Sequence, residues 1–272
     1  MLALYHNDMS SCAQKVRLCL AEKGLDWESR HLNLRAGEHQ QDWYLKLNRR
    51  AVVPTLIDGD IVVPESNVIN EYLDERFPDS PLMPGDRFGR AKVLLWTKQL
   101  DEDIHDACIA ILSFGIAFRH QYLARGEAGM RMLEQIPSII KRERRRDVID
   151  KGLDSLHFRI AVARMELLLT EMQEALAQHA WLVGPDYTIA DAAFTPYLAR
   201  LDHLNILGMT EGRPRVADWY RRIKARPSFQ DAIVRWENAD YLTLMRARGD
   251  EAWPKVQEIV RSLRAEAVAS AA

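Results

Sequence analysis

Residues 51–73, AVVPTLIDGDIVVPESNVINEYL, read as two short strands, a tight turn and the start of a helix. Asp58-Gly59 between the apolar runs PTLID and IVVP is a hairpin signal, because glycine supplies the positive φ that such a turn needs. Pro54 has no N–H for a sheet ladder, so it belongs at a strand entrance and holds Val53 extended. A cis Val53–Pro54 bond would turn the Val53 N–H and C=O outward, ready to pair with an extended peptide. At Glu65-Ser66 a helix opens, and its unpaired amides and partial positive charge suit a carboxylate. The Glu65 carboxylate could accept from an ammonium, so the stretch suits both ends of an α-amino acid.

Working outward, LALY forms a strand, residues 10–23 a helix, WESRHLNL a strand, residues 41–48 a short helix, and residues 66–77 the helix after the hairpin. The order βαβαββα predicts a small mixed sheet whose first two strands, joined by a helix, lie parallel. FPDSPLMPGD then brings three prolines and a glycine into ten residues, which a helix does not easily cross. The expected organisation is an α/β thioredoxin-like domain at 1–79, a linker at 80–87 and an all-helical domain at 88–272. Val93, Trp96, Leu100, Ile104, Ala107, Cys108 and Ile111 are expected to share one buried helical face. The same expectation holds for Leu156, Ile160, Ala163, Leu167, Met172 and Leu176. Between them residues 119–155, with KRERRR, read as an insertion that is a solvated helix face or mobile connection, with a basic docking patch as the alternative.

Thirty-seven basic and thirty-nine acidic residues leave a net charge of −2, so no global field favours nucleic acid or an anionic membrane. Three cysteines without a C-x-x-C pair indicate a reducing compartment, and the cytoplasm is the expected location. The chain start lacks a signal-peptide pattern, and ACIAILSFGIAF is too short for a membrane span. Glu102 and His105 have helical metal-pair spacing, but a bundle site needs a second pair. No H-x-x-x-H and no phosphate-binding glycine loop appears, so no metal and no nucleotide is expected.

In the helix at 10–23, Cys12, Val16, Cys19 and Leu20 fall on one stripe, which directs Cys12 to the core and leaves Ser10 as an N-cap. Farther on, VGPDYTIADAAFTP holds Thr188 and Asp191 in the spacing of a capping box, a folding feature. The V-P and E-S pairs, the proline-marked linker and this capping segment, in that order, resemble the cytosolic glutathione transferases. The resemblance implies an N-terminal glutathione site, a helical domain that holds a hydrophobic electrophile, and a homodimer. It implies that Val53, beside a cis Pro54, pairs with the cysteinyl part of glutathione. Glu65 and Ser66 would hold the γ-glutamyl end, and His39 and Gln40 the glycine carboxylate.

For the thiol activator the resemblance points to Ser10, six residues before Val16 as in the serine-type classes, with SSC resembling the zeta class. Tyr5, Ser11 and Cys12 are the alternatives. The family pattern N-P-x-G-x-V-P appears here as NRRAVVP, without its first proline and its glycine. The insertion resembles the bacterial β-aryl etherase branch, for which Ile104, Phe114 and Phe118 are candidate pocket walls. Alternatives are cis–trans isomerisation of maleylacetoacetate type, thiol exchange at Cys12, and a non-catalytic binding protein on the same fold.

Overall fold

The computed structural model describes residues 1–271, and the chain divides into two compact units that cut across chain order. The first comprises Met1–Thr97, Gln178–Tyr197 and Asp218–Asn238. Its sheet has strands β1 (Leu2–His6), β2 (Trp27–His31), β3 (Thr55–Asp58) and β4 (Ile61–Pro64), in the order β2-β1-β3-β4. β1 runs parallel to β2 and antiparallel to β3, and β3 antiparallel to β4. β2 is shorter than its apolar pattern suggests. Asn33 Oδ1 accepts from the N–H groups of Arg35 and Ala36, each at 3.1 Å, and this side-chain turn ends the strand.

Helix α1 (Ser11–Glu22) follows β1, a short α2 (Asp42–Leu45) precedes the hairpin, and α3 (Ser66–Arg76) follows it. The single-stripe reading of α1 is corrected by the structure. Ser11, Ala13, Gln14, Lys15, Val16, Arg17, Leu18, Cys19 and Leu20 are all buried, whereas Cys12 is only half-buried. The helix is enclosed by the sheet, by α3 and by the segment 218–238, so an apolar stripe could not identify its covered side. Its contact with α3 is a polar ladder. Lys15 faces Ser66 and Asn67, Cys19 faces the Asn70 carbonyl, and Lys23 faces Asp74. Each successive rung advances about one helical turn on both helices, so the ladder sets their relative register.

The proline-rich stretch is not loose. Leu82 and Met83 are buried, and their N–H groups donate to the Asp74 carboxylate at 2.6 and 3.2 Å.

The second unit comprises Lys98–Ala177, Leu198–Ala217 and the chain from Ala239. Across both units the remaining helices, in chain order, are α4 (Arg87–Gln99), α5 (Ala110–Ser113), α6 (Arg119–Ala124), α7 (Glu127–Glu134), α8 (Ile139–Lys151), α9 (Leu156–Gln178), α10 (Ile189–His203), α11 (Pro214–Lys224), α12 (Pro227–Ala232) and α13 (Ala239–Ala271), of which α12 lies in the first unit. Leu100–Ile109 and Phe114–Phe118 wind as π-helix within the run Arg87–Ala124. That run is long and apolar enough to cross a membrane by length and composition, and half of its most apolar window is buried within the chain.

The predicted face of α9 is also corrected. Leu156, Ile160 and Leu167 are exposed, and the buried side is Phe158, Ala161, Val162, Met165, Leu168, Leu169, Met172 and Leu176. Apolar residues stand on more than one side of this helix, so two faces with similar periodicity were possible. Residues 119–155 are not a mobile connection but three helices with paired charges. Arg146 and Arg142 meet Glu134, Lys141 meets Asp106 at 2.6 Å, and Arg145 stacks 5.3 Å from the Phe114 ring centre.

Candidate active site

The pairing register puts three chain segments at one edge of the sheet. Tyr5 near the end of β1 pairs with Thr55 at the start of β3, and Thr55 pairs with Pro64 at the end of β4. The loop to Ser10, the Val53–Pro54 dipeptide and the Glu65–Ser66 helix start therefore issue from the same edge. Helices α1 and α3 both begin there, and neither has an acidic residue in its first turn. The carboxylate nearest the start of α3 is that of its N-cap, Glu65, which is ion-paired with Arg50.

Ser10 is the N-cap of α1, and its Oγ accepts from the Ala13 N–H at 3.3 Å. That bond uses a lone pair and leaves the hydroxyl hydrogen to donate outward. The approach to Ser10 is fastened by Arg17, which is 1 % exposed. Its guanidinium donates to the carbonyls of Asn7 (2.9 Å), Asp8 (2.7 Å) and Ala232 (2.8 Å). Burial brings the Arg17 pKa down to about 9, opposed by the charge of Asp8. Ser11 is buried and Cys12, in the first turn, is half-buried. The Tyr5 ring packs 5.8 Å from Trp43 and 5.7 Å from Tyr44, in the cluster that includes Leu32 and Val53.

The Val53–Pro54 bond is cis. Tyr44 Oη and Asn48 Nδ2 both donate to the Val52 carbonyl, at 2.7 and 3.0 Å, and hold the loop from behind. Among the described residues the Val53 N–H and C=O enter no backbone hydrogen bond of the chain itself. Ala51, which stands where the family pattern has glycine, takes φ 53°, so the left-handed turn persists without glycine.

Glu65 is likewise left-handed, with φ 70°, and its carboxylate lies 2.6 Å from Arg50 Nη1. Ser66, the first residue of α3, is buried, with Oγ 3.4 Å from Lys15 Nζ. A strained non-glycine residue held by an ion pair beside a helix start is a pattern associated with ligand sites. His39 sits in the short 3-10 turn Glu38–Gln40, half-buried, with Nδ1 unpartnered among the described residues. Burial lowers its pKa. Gln40 is exposed.

In the second unit Phe114 and Phe118 join an apolar cluster with Leu133, Ile149, Tyr122 and Met130, and Phe118 lies 6.3 Å from the Tyr241 ring. Ile104 is fully buried in the core and lines no open surface. Its place on the predicted inner helical face was legible, but not its depth. Asp191 accepts from the Thr188 N–H at 3.0 Å, and Thr188 Oγ1 accepts from the Ala190 N–H at 3.2 Å. Trp219 Nε1 and the Leu182 N–H also donate to Asp191, at 2.8 and 3.1 Å. Burial pushes the Asp191 pKa up while these donors pull it down. Among the described residues no group of three metal-ligating side chains occurs.

Lys15, Arg17 and Arg50 had no signal in the sequence, because isolated cations are ordinarily solvated and only the packing shows what they face.

The family models of the N-terminal and C-terminal domains of glutathione S-transferases match residues 9–76 and 141–222. The chain is 31% identical over 261 residues to the protein LigF of Sphingobium sp. strain SYK-6, covering 89% of this chain and 96% of that one. The chain belongs to the glutathione S-transferase family. The first matched segment of this transferase holds Ser10, Val53 and Ser66, and the second holds Thr188 and Asp191. A crystal structure of the β-etherase LigF superposes with a TM-score of 0.74 at 26% identity, covering 85% of this chain and 98% of that one. The tetrachloro-p-hydroquinone reductive dehalogenase of Sphingobium chlorophenolicum is 30% identical over 240 residues, covering 86% of this chain and 96% of that one. Glutathione S-transferase Z1 of Arabidopsis thaliana is 31% identical over 236 residues, covering 85% and 91%. The transferase is an enzyme with glutathione as its co-substrate.

Proposed function

We propose that this glutathione transferase uses Ser10 to hold glutathione as the thiolate and directs it at an aryl ether carbon. The observation that carries the reading is the Ser10 hydroxyl at the start of α1, on the sheet edge from which Val53 and Ser66 also emerge. Val53 pairs through its backbone with the cysteinyl part of glutathione beside Pro54. Glu65 and Ser66 take the γ-glutamyl end, and His39 and Gln40 the glycine carboxylate. A thiol with a free pKa near ~8.5 is mostly protonated at neutral pH, and the thiolate is the nucleophile. The Ser10 O–H and the α1 dipole stabilise that anion. The sulfur then forms a bond to the ether carbon, the carbon–oxygen bond breaks, and the phenolate leaves and takes up a proton.

The substrate class draws support from the likeness to the β-etherase over most of both chains. Phe114 and Phe118 are the apolar walls of this reading. Incubation with glutathione and a β-aryl ether test compound is expected to release a phenol. Conjugation of halo-arenes without phenol release overturns the etherase assignment but leaves the transferase intact. Rapid turnover of a maleylacetoacetate-type substrate instead would assign isomerisation.

Thiol exchange at Cys12 is the second reading, favoured by the half-buried position of this thiol in the first turn of α1. Loss of activity on alkylation of the native protein, absent in Cys12→Ser, would support it.

The thioredoxin-like domain at 1–79, the linker at 80–87 and the helical domain at 88–272 remain our functional division of the chain. A homodimer is supported by the exposed apolar row Leu156, Ile160 and Leu167, and sedimentation of the native protein tests it. Cytoplasmic location is in keeping with three unbridged cysteines.

A further inference from the structure

Lys15 is fully buried, and its ammonium lies 3.4 Å from Ser66 Oγ and 3.4 Å from Asn67 Oδ1, above the Tyr197 ring at 5.4 Å. Among the described residues no carboxylate forms an ion pair with it. Lys23, two turns along the same helix, has Asp74 at 2.9 Å. A buried cation without a counter-charge is costly to a folded chain, and an apolar side chain of the same length would fill the space with less loss. The Asn67 amide is oriented by its Nδ2, which donates to the Thr97 carbonyl at 3.1 Å, so its oxygen is the atom turned to Lys15. Because Lys15 donates to Ser66 Oγ, the Ser66 hydroxyl hydrogen must be directed away from Lys15.

We infer that Lys15 is a positioning residue of the subsite for the γ-glutamyl α-carboxylate, adding positive charge to that subsite from behind Ser66. The inference rests on the assignment of Ser66 to that end of glutathione. Lys15 does not touch the ligand. It fixes the Ser66 donor and adds its charge to the positive end of α3, about two hydrogen-bond lengths from the bound anion. At that separation, in a partly solvated protein site, the charge is expected to change affinity on the order of tenfold or more.

The test compares glutathione with its analogue 4-aminobutyryl-cysteinylglycine, which has hydrogen in place of the α-carboxylate, by calorimetry on the native protein, Lys15→Met, Lys15→Gln and Ser66→Ala. Lys15→Met is expected to bind glutathione at least about tenfold more weakly, to bind the analogue as the native protein does, and to melt no lower. Lys15→Gln keeps a hydrogen-bond donor without the charge, and it is expected to show the same selective loss. Equal weakening toward both peptides, or none toward either, overturns the role of Lys15. Unchanged glutathione affinity in Ser66→Ala overturns the Ser66 assignment itself, and the inference falls with it.

Discussion

Lys23 reaches across from α1 to α3 and donates to Asp74 Oδ1 at 2.9 Å, with both side chains almost wholly cut off from water. The pair is fully served: Lys23 also donates to the Ser80 carbonyl at 2.7 Å, and Asp74 accepts from the Leu82 and Met83 N–H groups. It closes the polar ladder that begins at Ser66, and it pins the proline-rich stretch to the first unit. Removing one partner strands a buried charge, so Asp74→Ala is expected to lose about 3–5 kcal/mol of stability in a denaturant titration. Replacing both residues by apolar ones of similar size is expected to recover part of that loss. A single-variant loss of under about 1 kcal/mol would mean that water reaches the site.

His6 should make stability fall on the acid side. Burial, reinforced by Arg17 and His31, lowers its pKa from 6.5 to about 3. Arg17 Nη1 lies 3.1 Å from His6 Nδ1, and Ser29 Oγ lies 2.8 Å from Nε2. Since an arginine only donates, the neutral Nε2–H tautomer fits this network. The folded state thus binds fewer protons than the unfolded one between these pKa values. The contribution of His6 is complete above pH 6.5 and drains away as the pH falls toward about 3, at up to about 1.4 kcal/mol per pH unit. Urea midpoints from pH 7 downward should show this slope in the native protein and a shallower one in His6→Gln. Identical slopes would remove His6 as the cause.

Ser10→Ala and Ser10→Gly separate the two duties of this hydroxyl. Alanine at the N-cap costs about 1 kcal/mol of stability, whereas glycine costs only a few tenths. Both remove the donor to sulfur, so both are expected to shift the pH–rate profile for glutathione conjugation upward by one to two units. That shift slows the reaction roughly 10- to 100-fold at neutral pH and lets it recover in alkali. A profile that stays put would hand activation to another group, with Tyr5, Ser11 and Cys12 next to be replaced.

Gly249 lies inside α13, where helix propensity alone says that alanine should stabilise by about 1 kcal/mol. The packing says the opposite, because a Cβ there would come within 1.6 Å of the Leu204 carbonyl oxygen. Backbone cannot yield as a flexible side chain does, so Gly249→Ala is expected to destabilise by about 3 kcal/mol or more in a thermal or denaturant melt. A stabilised variant would show that α13 and residue 204 are farther apart than this packing requires.

Much of the backbone around the candidate site could be read in advance because its parts are local. The hairpin turn falls at Gly59-Asp60, one residue beyond the expected Asp58-Gly59, because Asp58 still pairs with Ile61. That turn, the strand entrance at Pro54 and the helix starts at Ser10 and Ser66 depend on short-range backbone preferences. Those preferences are written in adjacent residues. NRRAVVP lacks the glycine of the family pattern, yet Ala51 adopts the left-handed angle expected of glycine. The burial of Lys15 and Arg17 and the partial exposure of Cys12 ran against residue type. In α1 the surrounding elements leave little solvent face, and polarity then records hydrogen-bond partners in place of exposure.

From its residues alone the chain determined the order βαβαββα, the hairpin, the cis-prone Val53–Pro54 entrance, the capping pair Thr188–Asp191 and an all-helical remainder. Each of these follows from bonding demands that neighbouring residues satisfy between themselves. Tertiary structure alone decided which face of α9 is covered, how segments 178–197 and 218–238 join the first unit, and which cation stands behind Ser66. These depend on contacts between residues far apart in the chain, where an apolar or charged side chain has several possible partners and only close packing selects one.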